Sequence, residues 1–423
     1  MEFLKDIALP QSAEHIQLLH YMLILILFLF IPFISAIFGG TVLSVFYKKQ
    51  EKIDLDENYG KFSQDIIELV TVNKIVGFIL GIVPLLTAII IFSQLFQSSE
   101  NSNLIYLGIS FILFVIAFNF VYDYRNSFSY LGKVDLNSGK IAIVFLFFAL
   151  WFFSAGMSVA VFNDHWQPEG IISSLYSSIV IIRFLFLLVS AFAITGGAIL
   201  FGIFYSDDGK RNYNEDYGNF VKKKIVKVTF TFTALLPLLM FANLIIIPGS
   251  LLSGAVFAYI IIGLFLLFLA YHFLYVILVR FSSKFTALLF FSLLFMVLTI
   301  IISDQLVISN STKVSSAILA VQYDELLADL KGEGGPVEVN GEEIYQVRCA
   351  ACHKFDVKLV GPPHNEVVPK YFGKEKELIA YIKNPSKIDP NYPPMPNPGL
   401  KPNEVKAVVD YVLEQVKKNV EEK

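Results

Sequence analysis

The sequence predicts an all-α protein with eight transmembrane helices in two four-helix repeats, followed by a small all-α domain. Composition supports the membrane part, because 55% of the 423 residues are hydrophobic and only 16% are charged. An average soluble protein carries about 25% charged residues. A cysteine and histidine motif near the C-terminus marks the second part. We therefore divide the chain into a membrane domain (1–305), a linker (306–336) and a C-terminal domain (337–423).

Eight apolar runs are long enough to cross a bilayer, for which a helix needs about 20 residues. They cover 18–46, 68–96, 104–122, 141–162, 175–205, 226–248, 252–279 and 285–303. The first run exceeds the apolar core of a signal peptide and lacks a small-residue cleavage site, so we expect a retained helix. The lipid bilayer is thus an expected partner. Nucleic acid is not, because the net charge is −3 and no basic block occurs.

Basic residues in the connections predict the orientation, since loops rich in Lys and Arg stay in the cytoplasm. The loops after the odd-numbered runs contain Lys48, Lys49, Lys52, Arg125, Lys133, Lys210, Arg211, Lys222, Lys223, Lys224, Arg280 and Lys284. The alternate loops at 97–103, 163–170 and 247–250 contain no Lys or Arg. We expect both the N-terminus and the C-terminal domain on the outer, periplasmic side of a bacterial inner membrane.

The two halves of the membrane domain, at about 18–162 and 175–303, repeat one another. Gly39-Gly40 returns as Gly196-Gly197, and the segment from Glu57 returns from Glu215. After a shift of about five residues, Lys74 and Pro84 match Lys227 and Pro237. Transporters also contain such repeats, so the duplication alone does not select a function.

The motif Cys349-Ala350-Ala351-Cys352-His353 is typical of c-type haem attachment. Its two thiols form thioethers with the haem vinyl groups, and the histidine binds the iron. The protein has 2 cysteines in all, so no disulfide or cysteine-rich zinc site competes for them. We expect one covalent haem c.

The surrounding sequence resembles a class I mono-haem cytochrome c over roughly 335–420. A short amphipathic helix at 341–348 precedes the motif, and a proline-rich segment with Met395 follows it. The last helix has valines at helical spacing, namely Val405, Val408, Val409, Val412 and Val416. The resemblance implies a small electron-transfer domain of this fold.

The resemblance also implies the haem ligands, with His353 proximal and Met395 distal. Thioether ligation favours ferrous iron and fills the sixth position, so such a haem transfers electrons without binding oxygen. The carbonyl of Pro362 is expected to accept the imidazole N–H. His364 is the rival sixth ligand.

Arg183 is the one strongly charged residue well inside a predicted span, and such a residue indicates a functional site by default. Its expected partners are a haem propionate, Asp164 or a quinone head group, and snorkelling to lipid head groups is the alternative. His15, His20 and His165 are candidate ligands of a b-type haem or of quinol on the same outer side. Ordinary interfacial histidines are the other interpretation.

The first two predicted helices resemble the quinol-oxidising subunit of cytochrome bd-type oxidases over about 15–95. The likeness is carried by His20-Tyr21 and by Phe30-Ile31-Pro32. In that family a histidine at the outer end of the first helix binds haem, which implies this role for His20. Haem b and quinone are the cofactors that the resemblance adds to haem c.

Three functions follow. The first is a membrane-anchored cytochrome, an electron-transfer subunit of a respiratory oxidoreductase complex. It serves other subunits or a soluble redox protein and takes electrons from quinol through its membrane domain. The second is a subunit of a bd-like quinol-oxidising terminal reductase. The third is a transporter-like or scaffold anchor that only tethers the cytochrome. The glycine-rich end of the linker at 332–336 is expected to act as a hinge between membrane and haem.

Overall fold

A computed structural model of the chain describes residues 11–96, 103–130, 134–162, 171–206, 215–331, 340–390 and 392–421. All regular secondary structure in these residues is helical. Eight helices among the described residues are long and apolar enough to span a membrane, and a separate small helical domain follows them. The predicted all-α fold class is therefore confirmed.

Five of the eight spanning helices are longer than the apolar runs that predict them, and three are shorter. They are α1 (Ala13–Asp54), α3 (Lys74–Leu95), α4 (Asn103–Tyr130), α5 (Leu136–Val161), α7 (Ser178–Ser206), α8 (Glu215–Ile246), α9 (Gly254–Val279) and α10 (Ser283–Ser311). Two shorter helices lie between them, α2 (Glu57–Thr71) and α6 (Ile171–Leu175). Several helices continue beyond the apolar run into polar residues. The helix supplies hydrogen-bond partners for the backbone N–H and C=O groups there.

A break separates α2 from α3, in the part of the first half where the five-residue shift of the predicted repeat falls. Asp56 caps α2 by accepting from the backbone of Asn58, and Val72 ends it with a φ of 32°. Asn73 then caps α3 through Val76 N. The aligned part of the second half is one uninterrupted helix, α8. The two four-helix repeats themselves stay a prediction.

Small residues bring α1 and α7 together at the aligned glycine positions. A Cβ on Gly39 would clash with the side chain of Thr195, whose hydroxyl donates to the carbonyl of Ser35 at 3.1 Å. Gly196 is equally closed against Thr229 of α8. Small residues let membrane helices approach closely. Close packing matters there because the hydrophobic effect does not drive helices together within lipid.

The chain forms two compact units. The membrane unit comprises the described residues of 20–93 and 100–311. The C-terminal unit comprises those from Thr312 onward, together with 11–19 and 94–96. The boundary thus falls between Ser311 and Thr312, inside the predicted linker.

The second half of the predicted linker is a helix of the C-terminal unit, α11 (Lys313–Leu330). Val321 is 5% exposed in the unit's hydrophobic core, and Asp324 pairs with Lys383 at 2.6 Å. The glycine-rich stretch expected to be the hinge lies outside the described residues. It connects two elements of one unit, so the boundary between the two units lies upstream of it.

Four helices complete the C-terminal unit: α12 (Gly341–Arg348), α13 (His364–Val367), α14 (Glu375–Lys383) and α15 (Pro402–Glu421). Asn340 caps α12 through the backbone of Glu342 and Glu343. Helices α12 and α15 cross closely at Gly341. A Cβ at that position would clash with the carbonyl of Ala407. The predicted valine face of α15 is confirmed as buried core.

Candidate functional site

The cysteine and histidine motif forms a tight turn after α12. Cys349 N donates to Tyr345 O at 2.8 Å, and His353 N donates to Cys349 O at 3.0 Å. Both cysteines are free and partly buried. Burial, assisted by Cys352, raises the pKa of the Cys349 thiol. One turn therefore carries two neighbouring thiols and an imidazole.

The imidazole of His353 is oriented by the loop behind it. Its Nδ1 lies 3.2 Å from the carbonyl oxygen of Pro362, which leaves Nε2 for a metal. Gly361 packs so closely that a Cβ there would clash with the His353 ring. The hydroxyl of Tyr345 donates to the carbonyl of His353 at 3.1 Å. The side chain and the backbone of His353 are thus both fixed.

His364 lies beside His353, with ring centroids 4.9 Å apart and an interplanar angle of 10°. A sixth ligand must lie on the opposite side of the iron from the fifth. The His353 and His364 rings instead stack directly against one another. Burial, followed by the nearby charge of His353, lowers the pKa of His364 to about 4. The geometry favours a packing role for His364 between Tyr345 and Phe355 over iron ligation.

The loop that contains Met395 is anchored to the end of α14. The side-chain amide of Asn397 donates to the carbonyl of Lys383 at 2.9 Å, and Gly399 N donates to Asn397 Oδ1 at 2.9 Å. Gly399 has a φ of 66°, a conformation that favours glycine. Met395 itself is partly buried. The loop therefore holds a thioether in a defined position.

These groups fit a covalently attached haem. Two neighbouring thiols, an imidazole whose Nδ1 is engaged and a loop-held thioether are the donors that His/Met-ligated c-type haem requires. The fit rests on the His353 to Pro362 contact and on the glycine beneath the ring.

Within the membrane unit, Arg183 of α7 pairs with Asp304 of α10. Two hydrogen bonds join them, from Nη1 to Oδ2 at 3.1 Å and from Nη2 to Oδ1 at 3.0 Å. The Arg183 side chain is 8% exposed and that of Asp304 is 26% exposed. The partners expected from the sequence did not include Asp304, which falls one residue beyond the last predicted run. An acidic residue at the edge of the last apolar run was the feature of the sequence that could have indicated Asp304 as the partner of Arg183.

A cavity of about 100 Å³ adjoins this ion pair. Asn243, Ser154, Ser190 and Ser303 contribute its other polar lining, and the remaining walls are apolar. Arg183 Nε is buried without a hydrogen-bond partner. The site therefore has one polar end and an otherwise apolar wall.

The other candidate residues of the membrane half do not join Arg183 among the cavity lining. His15 Nε2 lies 3.3 Å from Gln94 Oε1 in the C-terminal unit. His20 lies beside Gln305, and its buried Nδ1 has no hydrogen-bond partner. His165 and Asp164 lie outside the described residues. No group of three or more His, Cys, Asp or Glu side chains in the described part of the chain could hold a metal ion.

Comparison with known proteins gives matches for the C-terminal domain. A family model described as cytochrome c matches residues 338–415. Cytochrome c-551 of Pseudomonas denitrificans is 36% identical over 78 residues, 17% of this chain and 94% of that protein. Cytochrome c-551 of Azotobacter vinelandii is 38% identical over 77 residues, again 17% and 94% of the two chains. The resemblance of the membrane domain to a bd-type subunit is outside these matches and stays a prediction.

Proposed function

Because this chain belongs to the cytochrome c family through its C-terminal domain, we propose that it is a membrane-anchored electron carrier of a respiratory chain. Cys349 and Cys352 attach haem c, His353 is the proximal ligand and Met395 the distal one. The contact between His353 Nδ1 and the Pro362 carbonyl carries this assignment, because it presents Nε2 to a metal.

The protein's residues determine what this domain does with an electron. When bound, the haem supplies one-electron exchange between ferric and ferrous iron. The Met395 thioether favours the ferrous state and so raises the reduction potential. His353 and Met395 would together hold the haem iron and leave it no free position for oxygen. Tyr345 and Gly361 hold the histidine in place, so little rearrangement accompanies electron transfer.

The membrane helices set the location. The eight spanning helices anchor the carrier in a lipid bilayer. The Lys and Arg asymmetry of the loops supports an outer, periplasmic position for the C-terminal domain in a bacterial inner membrane. There it exchanges electrons with other respiratory subunits or with a soluble redox protein.

We further propose quinol as the electron source, entering through the membrane domain. Each quinol would give one electron to the ferric haem of each of two chains and release its two protons to water. The buried Arg183–Asp304 pair supports this, because charges inside a bilayer indicate function. The electrons would pass from quinol to haem c without a b-type haem in the membrane domain.

Anaerobic stopped-flow reduction tests the proposal. The full chain in lipid nanodiscs, with ferric haem c, is mixed with duroquinol, a tetramethyl hydroquinone. We expect two haems reduced per quinol, at a rate well above that of a soluble fragment comprising residues 313–423. Equal rates for the two proteins would reduce the helices to an anchor and would remove quinol from the function.

A further inference from the structure

We propose that the cavity beside Arg183 and Asp304 binds the aromatic head of a lipid-soluble hydroquinone. This inference deepens the proposed function and rests on it for the choice of quinol as electron source. It assigns the binding site, which the proposed function leaves open.

The charge balance at the polar end selects a neutral ligand. Arg183 and Asp304 neutralise one another through two hydrogen bonds, so the cavity carries no net charge. Asp304 would repel an anionic lipid head group, and Arg183 would repel a cationic one. A neutral head group meets neither penalty.

The hydrogen-bonding groups select a hydroxyl. Arg183 Nε is a buried donor without a partner, and Asp304 is an acceptor with a quarter of its side chain exposed. A hydroquinone hydroxyl can accept a hydrogen bond from Arg183 Nε and donate one to the Asp304 carboxylate. A quinone carbonyl only accepts, so the reduced form matches both groups.

The walls suit an aromatic ring with an apolar tail. Apart from the polar groups, the lining is aliphatic, aromatic and thioether, including Phe153, Phe186, Met157, Met240 and Leu187. Methionine side chains adapt to irregular ligands and make favourable contacts with aromatic rings. The volume of about 100 Å³ is smaller than, but of the same order as, that of an engineered cavity of about 150 Å³ that binds benzene in another protein.

Two asparagines provide a matched pair of variants. Asn243 lines the cavity, and its amide donates to the carbonyl of Leu239 at 2.9 Å. Asn119 makes the same bond one helical turn back, to Val115 at 3.0 Å, and is not part of the lining. Replacing each by leucine removes the same local bond, and only Asn243→Leu also removes a polar group from the cavity lining.

The test is calorimetric titration of the full holoprotein in detergent micelles, anaerobically and with haem c already reduced, so that no electron moves. Duroquinol is one ligand, and its dimethyl ether, which lacks both hydroxyl donors, is the other. We expect the ether to bind about tenfold more weakly. Asp304→Asn should lower duroquinol affinity about tenfold and Asn243→Leu severalfold, whereas Asn119→Leu should bind as the wild type does. Haem c content and monodispersity verify that each variant is folded.

Wild-type affinity in both Asp304→Asn and Asn243→Leu overturns the assignment, even if duroquinol still reduces the haem. Equal affinity for duroquinol and its ether also overturns it. If Asp304→Asn does not fold, Arg183→Leu/Asp304→Leu takes its place, because it leaves no unpaired charge. Site-dependent binding without any reduction of haem c supports the site and instead refutes quinol as the electron source.

Discussion

Arg183 and Asp304 lie 121 positions apart in the chain and form a two-point ion pair between α7 and α10. The guanidinium is almost fully buried and the carboxylate is mostly so. Burial of each charge is costly, and the partner offsets that cost only while both are present. The pair therefore joins two membrane helices and, at the same time, makes each residue intolerant of losing the other.

Removing one member of the pair should destabilise the membrane unit more than removing both. Arg183→Leu leaves a buried carboxylate unpaired, which we expect to cost about 3 kcal/mol. Arg183→Leu/Asp304→Leu leaves no unpaired charge and should recover most of that loss. Thermal unfolding in detergent measures both. A double variant as unstable as the single one would show that the pair is not what balances the buried charges.

Replacing the proposed distal ligand should change the haem without detaching it. In Met395→His, ferric haem should lose the weak near-infrared band of thioether ligation, and the potential should fall by roughly 0.1 V or more. Haem content should stay the same, since Cys349 and Cys352 are untouched. Met22→Leu, at a partly exposed position outside the haem motif, is the control. Retention of the band in Met395→His would assign the sixth position to another residue.

Helix α11 should contribute to the stability of the C-terminal unit although it precedes the matched family region. Val321 is 5% exposed in the core, whereas Leu330 of the same helix is 76% exposed. Val321→Ala should lower the free energy of unfolding by on the order of 2 kcal/mol. Leu330→Ala should change it by less than about 0.5 kcal/mol. Chemical denaturation of the 313–423 fragment measures both, and equal effects would mean that α11 is not docked in solution.

Local spacing predicted much of this protein because the relevant contacts are local. The valine face of α15 and the eight apolar runs repeat at intervals that a helix fixes. The Arg183–Asp304 pair was not predicted, because no sequence spacing connects residues that are 121 positions apart in the chain. The docking of α11 escaped for the same reason, since Val321 and the Asp324–Lys383 pair acquire meaning only once α14 and α15 are in place.

Reporter fusions should give the orientation that the loop charges predict. Fusions after Lys49, Lys140 and Lys223 should score as cytoplasmic. Those after Ser99, Gln167 and Leu330 should score as external, because their loops lack Lys and Arg or lead to the haem domain. An external score after Lys223 would break the alternation of the eight helices and would require another route for haem attachment.

The most direct test of the account is a pyridine haemochrome spectrum of the purified full chain, with haem counted against protein. We predict one c-type haem per chain and no b-type haem, and loss of that haem in Cys349→Ser/Cys352→Ser. A stoichiometric b-type signal would contradict the account, because the membrane domain would then carry its own haem and electrons would not pass from quinol to haem c alone.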